Sequence, residues 1–299
     1  MLTPMPNQPI LSQPDPSSSP SSPIPPRLTD RAALIRQRAR AERQGPEDWL
    51  HALVLDEVQD RLSAVNRRFN SPAVVTGNPR FWAAAMPEAL VVRDDPVLAL
   101  EPAAHDLVIH ALALHWADDP VGQIVQSARA LRPDGLFLGL LPGGRTLAPL
   151  RDALAQAEIE ITGGLSPRVA PMGEIRDLGA LLQRGGLALP VADQVTQNVS
   201  YRGLIPLARD LRTMGEGNAL DRRLRHPTRR DVILRAAQIL ADMAPDPQEP
   251  GRIRLGLDLV VLTGWAPDAS QPQPLRPGSA RTSLADALNA ARPETPTTP

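Results

Sequence analysis

The residues with the spacing to do chemistry stand at the ends of short apolar runs. Val74-Val75-Thr76 runs into Gly77, and Ala89-Leu90-Val91-Val92-Arg93 runs into Asp94-Asp95-Pro96. A glycine closing a first strand lets a ligand approach the backbone, and the ligand crevice of an open α/β sheet lies at such strand ends. A carboxylate there can accept hydrogen bonds from ligand hydroxyls or amines. It can equally serve as a turn cap. Gly77 stands alone, followed by Pro79 and Phe81, which makes a poor phosphate cradle. His110 and His115 fall on an apolar run and its exit, five residues apart, and face different ways. His115 with Asp118 or Asp119 could form part of an iron-binding triad. The second histidine would have to come from His51, His105 or His226. Arg168, in the stiff loop Gly163-Gly164-Leu165-Ser166-Pro167-Arg168-Val169-Ala170-Pro171, could clamp a carboxylate or phosphate in bidentate fashion. It could also pair with a neighbouring acid. Residues 221–235 are strongly basic and include Arg229 and Arg230. They read either as a dock for an acidic partner or as a solvated helix face.

The elements that must position these groups follow from the hydrophobic pattern. His105-Asp106-Leu107-Val108-Ile109 reads as a strand buried on both faces. Apolar residues at helical spacing follow over 118–131. Arg132-Pro133-Asp134-Gly135 is expected to turn, and Leu136-Phe137-Leu138-Gly139-Leu140-Leu141 is a second buried strand. Together they make a βαβ unit, hence a parallel sheet with a right-handed crossover. Helices are expected over 31–44, capped by Asp30, and over 46–66, 80–88, 147–158, 172–184 and 204–214. Another is expected from the basic stretch 221–235 through Met243. Strands are expected over 187–195 and 253–265. The first helix, alternating Ala, Leu and Ile with arginine, reads as a half-exposed packing helix.

Composition excludes several function classes. The chain has 299 residues, a formal net charge of −1, no cysteine and no lysine, its 32 basic residues all being arginine. Disulfides, thiolate metal sites, cysteine nucleophiles, Schiff bases and the P-loop lysine are therefore excluded. No Gly-x-Ser-x-Gly or Gly-x-Gly-x-x-Gly occurs. Charge balance and 3% aromatics argue against nucleic acid as a partner. No apolar run approaches a membrane span, and the N-terminus lacks the pattern of a secretory signal, so the expected location is cytoplasmic. Residues 1–27, rich in Pro and Ser, are expected to be a disordered tail. Residues 28–268 form one domain with a helical cap at 28–68 and a helical insertion at about 203–245. Residues 269–299 are an extended tail.

Several stretches together resemble the methyltransferase-like assembly-factor family of respiratory complex I, found in mitochondria and alphaproteobacteria. They include Leu114-His115-Trp116-Ala117-Asp118-Asp119-Pro120, Leu131-Arg132-Pro133-Asp134-Gly135, the loop 163–171, Asp210-Leu211-Arg212-Thr213-Met214-Gly215-Glu216-Gly217-Asn218 and Gly264-Trp265-Ala266-Pro267. A more distant likeness is to the malonyl carrier-protein methyltransferase of biotin synthesis. The resemblance implies an α/β, Rossmann-like class I methyltransferase fold with a mostly parallel sheet. It also implies S-adenosylmethionine as cofactor and a complex I subunit as protein partner, through which the chain could lie peripheral to the membrane. Family members are described as methyltransferases or as protein arginine hydroxylases.

The departures matter as much as the match. Where the family carries Leu-Asp-Leu-Gly-Cys-Gly-x-Gly, this chain has Val74-Val75-Thr76-Gly77-Asn78-Pro79-Arg80-Phe81. Roughly one strand–helix unit is then missing before Asp94, so the second strand should lie directly beside the first. The cofactor contacts implied are Gly77, Asp94, Asp95 and His110. The partner-docking residues implied are Ser166, Arg168, Arg229 and Arg230, with no metal site and no catalytic residue assigned. Overpacking at Phe81 and a lost charged hydrogen bond would lower cofactor affinity by roughly two to four powers of ten. Binding is expected to be weak or lost. Three readings follow: a methyltransferase with a degenerate cofactor site, a pseudoenzyme that docks a complex I subunit, and an arginine hydroxylase.

Overall fold

The computed structural model describes residues 27–65 and 67–272. The expected tail at 1–27, apart from Arg27, and the final segment from 273 lie outside the described residues. The chain opens with α1 (Arg31–Gln44) and α2 (Trp49–Ala64), then alternates strand and helix. It continues through β1 (Pro72–Thr76), α3 (Pro79–Ala85), β2 (Leu90–Arg93), β3 (His105–Ala111), a 3-10 turn (Leu114–Trp116), α4 (Pro120–Ala130) and β4 (Leu131–Gly143). Then come α5 (Ala148–Thr162), α6 (Ile175–Arg184), β5 (Ala188–Tyr201), α7 (Leu204–Thr213), α8 (Arg230–Met243) and β6 (Ile253–Trp265).

The six strands make one sheet in the order β2-β1-β3-β4-β6-β5. β1, β2, β3 and β4 pair in parallel, whereas β6 is antiparallel to both neighbours. An antiparallel final strand slotted between the two before it gives the class I methyltransferase topology, here one strand–helix unit short. β2 lies directly beside β1 with Val75 opposite Val92, as the shortened connection requires.

β3 explains the rest of the architecture. All seven of its residues are buried, and its two faces feed separate apolar layers. Val108 packs with Val75, Ile124, Phe137 and Leu182 on one side. Leu107 and Ile109 pack with Val54, Val58, Trp82 and Leu138 on the other. Its buried carboxylate is satisfied internally, as burial demands, while His105 Nε2 and His110 Nδ1 have no partner among the described residues. Asp106 accepts from the amides of Asn70 and Ser71 at 2.6 and 2.9 Å. A third apolar cluster joins α5, α7 and α8 to the outer half of β6 through Leu150, Leu207, Leu240 and Leu255.

Three expectations need correction. The basic stretch before Arg230 is not helical: α8 starts at Arg230, and residues 221–229 run as turns and extended chain. There the arginines answer local acids, Arg223 and Arg225 both pairing with Asp30. β5 runs on to Tyr201 instead of stopping near Val195, because β6 opposite it is long enough to carry the ladder to Ile253. The expected turn at 132–135 lies inside β4, as an irregularity at which register shifts between His105 and Leu107 and Asp134 takes a φ of 59°.

Candidate functional site

The crevice lies where β1, β2 and β3 end together. Thr76 closes β1 and leads to Gly77, and Arg93 closes β2 and leads to Asp94. In an open parallel sheet this is where a nucleotide would sit. α1 crosses it.

The helix forms because Asp30 caps it, accepting from the Ala33 amide at 2.9 Å, and it ends at Gly45, whose φ is 87°. Its start is tied down from below. The amides of Leu28 and Thr29 donate to Asp118 at 2.8 and 2.9 Å, and the Thr29 hydroxyl donates to the Trp116 carbonyl at 2.8 Å. Loop 214–218 lies against its side. Gly215, at φ 82°, sits so close that a Cβ there would fall 3.2 Å from the Arg38 Cα. At Gly217 a Cβ would fall 2.0 Å from Gln37 Oε1. At Gly215 the positive φ and the helix backbone behind it favour glycine, whereas at Gly217 the neighbour is the end of the Gln37 side chain.

Arg31 and Arg38, two turns apart on one face of α1, reach the crevice. Arg38 Nη1 donates to both oxygens of Asp94, at 2.8 and 2.9 Å. Arg31 adds longer contacts to the same carboxylate at 3.3 and 3.4 Å, to the Asp94 carbonyl at 2.8 Å, and to Asp95 at 3.3 Å. The Asp94 side chain is 4% exposed and that of Arg38 13%. Burial raises the Asp94 carboxyl, but the two guanidiniums more than offset it and hold the group down at about 2. The Arg38 guanidinium also fills the space in front of Gly77. A Cβ on Gly77 would fall 2.2 Å from Arg38 Cζ. What remains beside Gly77 is a cavity of about 160 Å³, smaller than the roughly 300–1,000 Å³ of ligand pockets.

These residues do not fit a sulfonium nucleotide. Gly77 is backed by a guanidinium, and the Asp94 oxygens already receive two arginines. Asn78, which lines this cavity, caps α3 by accepting from the Phe81 amide at 3.2 Å. Phe81, expected to overpack the site, does not line the cavity; its ring turns to His51 and Trp82 in the apolar layer below.

Of the cofactor contacts expected, Gly77, Asp94 and Asp95 are brought together at the crevice, with α1 over them. His110 is not. It is 0% exposed, and its Nε2 lies 3.1 Å from Gln123 Oε1. Burial depresses its imidazole to about 4. It belongs to the core, and in this position has no surface to offer a ligand. Ser166 and Arg168 meet each other, but across Glu158. The Ser166 hydroxyl donates to Glu158 Oε2 at 2.8 Å, and Arg168 Nε and Nη2 donate to the two oxygens at 2.9 Å each. Burial pushes the Glu158 carboxyl up, while Arg168 and Ser166 pull it lower. The bidentate clamp foreseen for Arg168 thus closes on an acid of its own chain. Arg229 pairs with Asp231, and Arg230 has no ion pair among the described residues.

The residues weighed for iron have other employment. Asp118 holds the chain before α1, and Asp119 caps α4 by accepting from the Gly122 amide at 2.8 Å. His115 Nε2 lies 3.0 Å from Glu216 Oε2, which also accepts from Trp116 Nε1 at 2.7 Å. Burial raises the Glu216 carboxyl, and His115, Arg38 and Trp116 reverse that, leaving it lowered. Among the described residues no three His, Asp or Glu side chains converge as a metal site would require. Glu216 was missed from sequence; its signal was its place inside the Met214-Gly215-Glu216-Gly217-Asn218 run. Beyond it, on the other flank of α1, a chamber of about 610 Å³ opens between α1, α5, α7, α8 and β6.

No protein-family model matches the chain. It is 37% identical over 202 residues to the mitochondrial arginine-hydroxylase NDUFAF5 of Danio rerio, covering 67% of this chain and 62% of that protein. The human protein of the same name is 36% identical over 203 residues, with 67% and 57% covered. A malonyl-[acyl-carrier protein] O-methyltransferase of Xylella fastidiosa is 30% identical over 186 residues, with 62% and 60% covered. The matched region thus spans about three fifths of these relatives. A solved structure, the 1,6-didemethyltoxoflavin-N1-methyltransferase of Burkholderia thailandensis, superposes with a TM-score of 0.42 at 13% identity over 80% of this chain and 89% of that one. At that level the fold assignment rests on the strand order itself. Among the described residues no helix is long and apolar enough to cross a membrane.

Proposed function

We propose, on the premise that the chain is a homologue of the NDUFAF5 proteins with a class I methyltransferase fold, that it acts in respiratory complex I assembly by holding a protein partner rather than by transferring a methyl group. The observation that carries this reading is the Arg38 guanidinium, which stands in front of Gly77 and neutralises Asp94. A cofactor would have to displace a buried ion pair, lift α1 from the loop at 214–218 and then find one carboxylate where the missing strand took its own acid away. S-adenosylmethionine binding is accordingly lost or very weak. The scaffold that remains offers basic surface, with Arg222 and Arg230 free of ion pairs among the described residues, to an acidic region of a partner subunit.

The test has two arms. Purified protein titrated with S-adenosylmethionine should give no binding heat, and the protein should co-purify with complex I subunits. Co-purification should fall in Arg222→Ser/Arg230→Ser. Tight cofactor binding would reject the reading, as would failure to retain any complex I subunit.

The name of the relatives favours a second reading, hydroxylation of a partner arginine. Mass spectrometry of complex I subunits from cells with and without the protein distinguishes the two. A sixteen-dalton gain on one arginine, present only with the protein, selects the hydroxylase.

A further inference from the structure

The chamber on the far flank of α1 is unused by the reading above. Its walls are leucines carried by three elements: Leu150 on α5, Leu204 and Leu207 on α7, and Leu255 and Leu257 on β6, each buried to at least nine-tenths. At about 610 Å³ it falls within the range of small-molecule sites.

Its mouth has the opposite character. Arg36 and Arg40 lie one turn apart on the flank of α1 that faces the chamber, and Arg212 faces it from α7. All three are exposed. None has an ion-pair partner among the described residues, although most other arginines around the chamber do: Arg168 holds Glu158, and Arg223 holds Asp30. Three unpaired guanidiniums at one opening raise the local concentration of anions and can grip an oxyanion in bidentate fashion.

From this combination we infer that the chamber is a binding site for a single-chain anionic amphiphile, with its hydrocarbon tail among the leucines and its head group held by Arg36, Arg40 and Arg212. The depth of apolar wall excludes a small free anion as the main ligand, and the arginines select against neutral and cationic heads. A fatty carboxylate and an alkyl phosphate share this chemistry. The inference stands independently of the partner-holding role, since the docking arginines Arg222 and Arg230 do not line the chamber.

Titration calorimetry of the full chain tests it, with dodecanoate and dodecyl phosphate, each below its micelle concentration, as probes. One-to-one binding of at least one of them is expected, and the stronger identifies the head group. Arg36→Ser/Arg40→Ser, both on exposed positions and so compatible with folding, should weaken binding about tenfold or more. Leu204→Trp should abolish it by filling the chamber, with melting curves confirming that the variant folds. Acetate and dodecyltrimethylammonium should not bind. The inference is overturned if neither anionic probe binds, or if dodecyltrimethylammonium binds equally well. It is also overturned if the arginine variant binds as wild type does. Self-association of the free protein that blocks dodecanoate uptake would make a second copy the occupant and overturn it too.

Discussion

Removing Arg38 is the most informative single perturbation. Its partner, Asp94, is almost wholly buried, and Arg38 donates to both carboxylate oxygens. Arg38→Ala leaves that carboxylate with Arg31 alone, at 3.3 Å or more. Breaking a buried pair from one side costs about 3–5 kcal/mol, since the remaining charge is uncompensated. Arg31 keeps the loss near the low end, about 3 kcal/mol at pH 7, or a fall in Tm of roughly 6–12 °C for a domain of this size. The pH dependence gives a sharper check. In the native protein Asp94 is held at about 2 against an unfolded value of 3.8. It therefore contributes about 2 kcal/mol of stability, fully present above the unfolded value and lost as pH falls through the folded one. In Arg38→Ala the folded value rises, so the carboxyl protonates earlier and the deficit shrinks on acidification. Urea unfolding at pH 7 and at pH 3.5, for wild type, Arg38→Ala, Asp94→Asn and the double variant, measures both. A deficit under about 0.5 kcal/mol at pH 7, the size expected of a solvated surface pair, would refute the reasoning.

Other outcomes follow from the same geometry. Gly77→Ala should destabilise the protein, because its Cβ would land 2.2 Å from Arg38 Cζ, and Arg38→Ala should relieve part of that cost; purely additive losses in the double variant would deny the contact. Glu158→Ala should cost about 1.5–3 kcal/mol, since it leaves the half-buried Arg168 without its acid, and limited proteolysis should then cut within 163–171. His51 and His110, both depressed to about 4 by burial, should stay neutral in imidazole NMR titrations down to about pH 5. Their folded values lie below 6.5, so stability should be complete above that pH and decline as pH falls towards 4, by up to about 3 kcal/mol for each histidine. Either ring titrating near 6.5 in the folded protein would contradict its placement.

The fold was largely legible because its main signals are local. The apolar run at 107–109, the glycines at 185 and 186 after α6, and the alternation over 253–265 each specify an element without reference to the rest of the chain. Set against the pattern of the family it resembles, even the missing strand–helix unit could be read, from the short distance between Gly77 and Asp94, and β2 does lie beside β1. The closure of the crevice could not be read. Arg31 and Arg38 look like any exposed helix arginines in sequence, and their meeting with Asp94 spans 63 and 56 residues. The same holds for Glu216, whose partners lie 100 and 101 residues away. His110 misled in the other direction. A histidine near a strand's C-terminal end resembles a ligand contact, but whether its ring faces the crevice or the core depends on α4, which brings Gln123 against it.

Calorimetric titration of the full chain with S-adenosylmethionine tests the central claim most directly. With Arg38 in front of Gly77 and Asp94 already paired, no saturable heat should appear up to millimolar cofactor. A one-to-one isotherm in the micromolar range, weakened by Asp94→Ala, would contradict it.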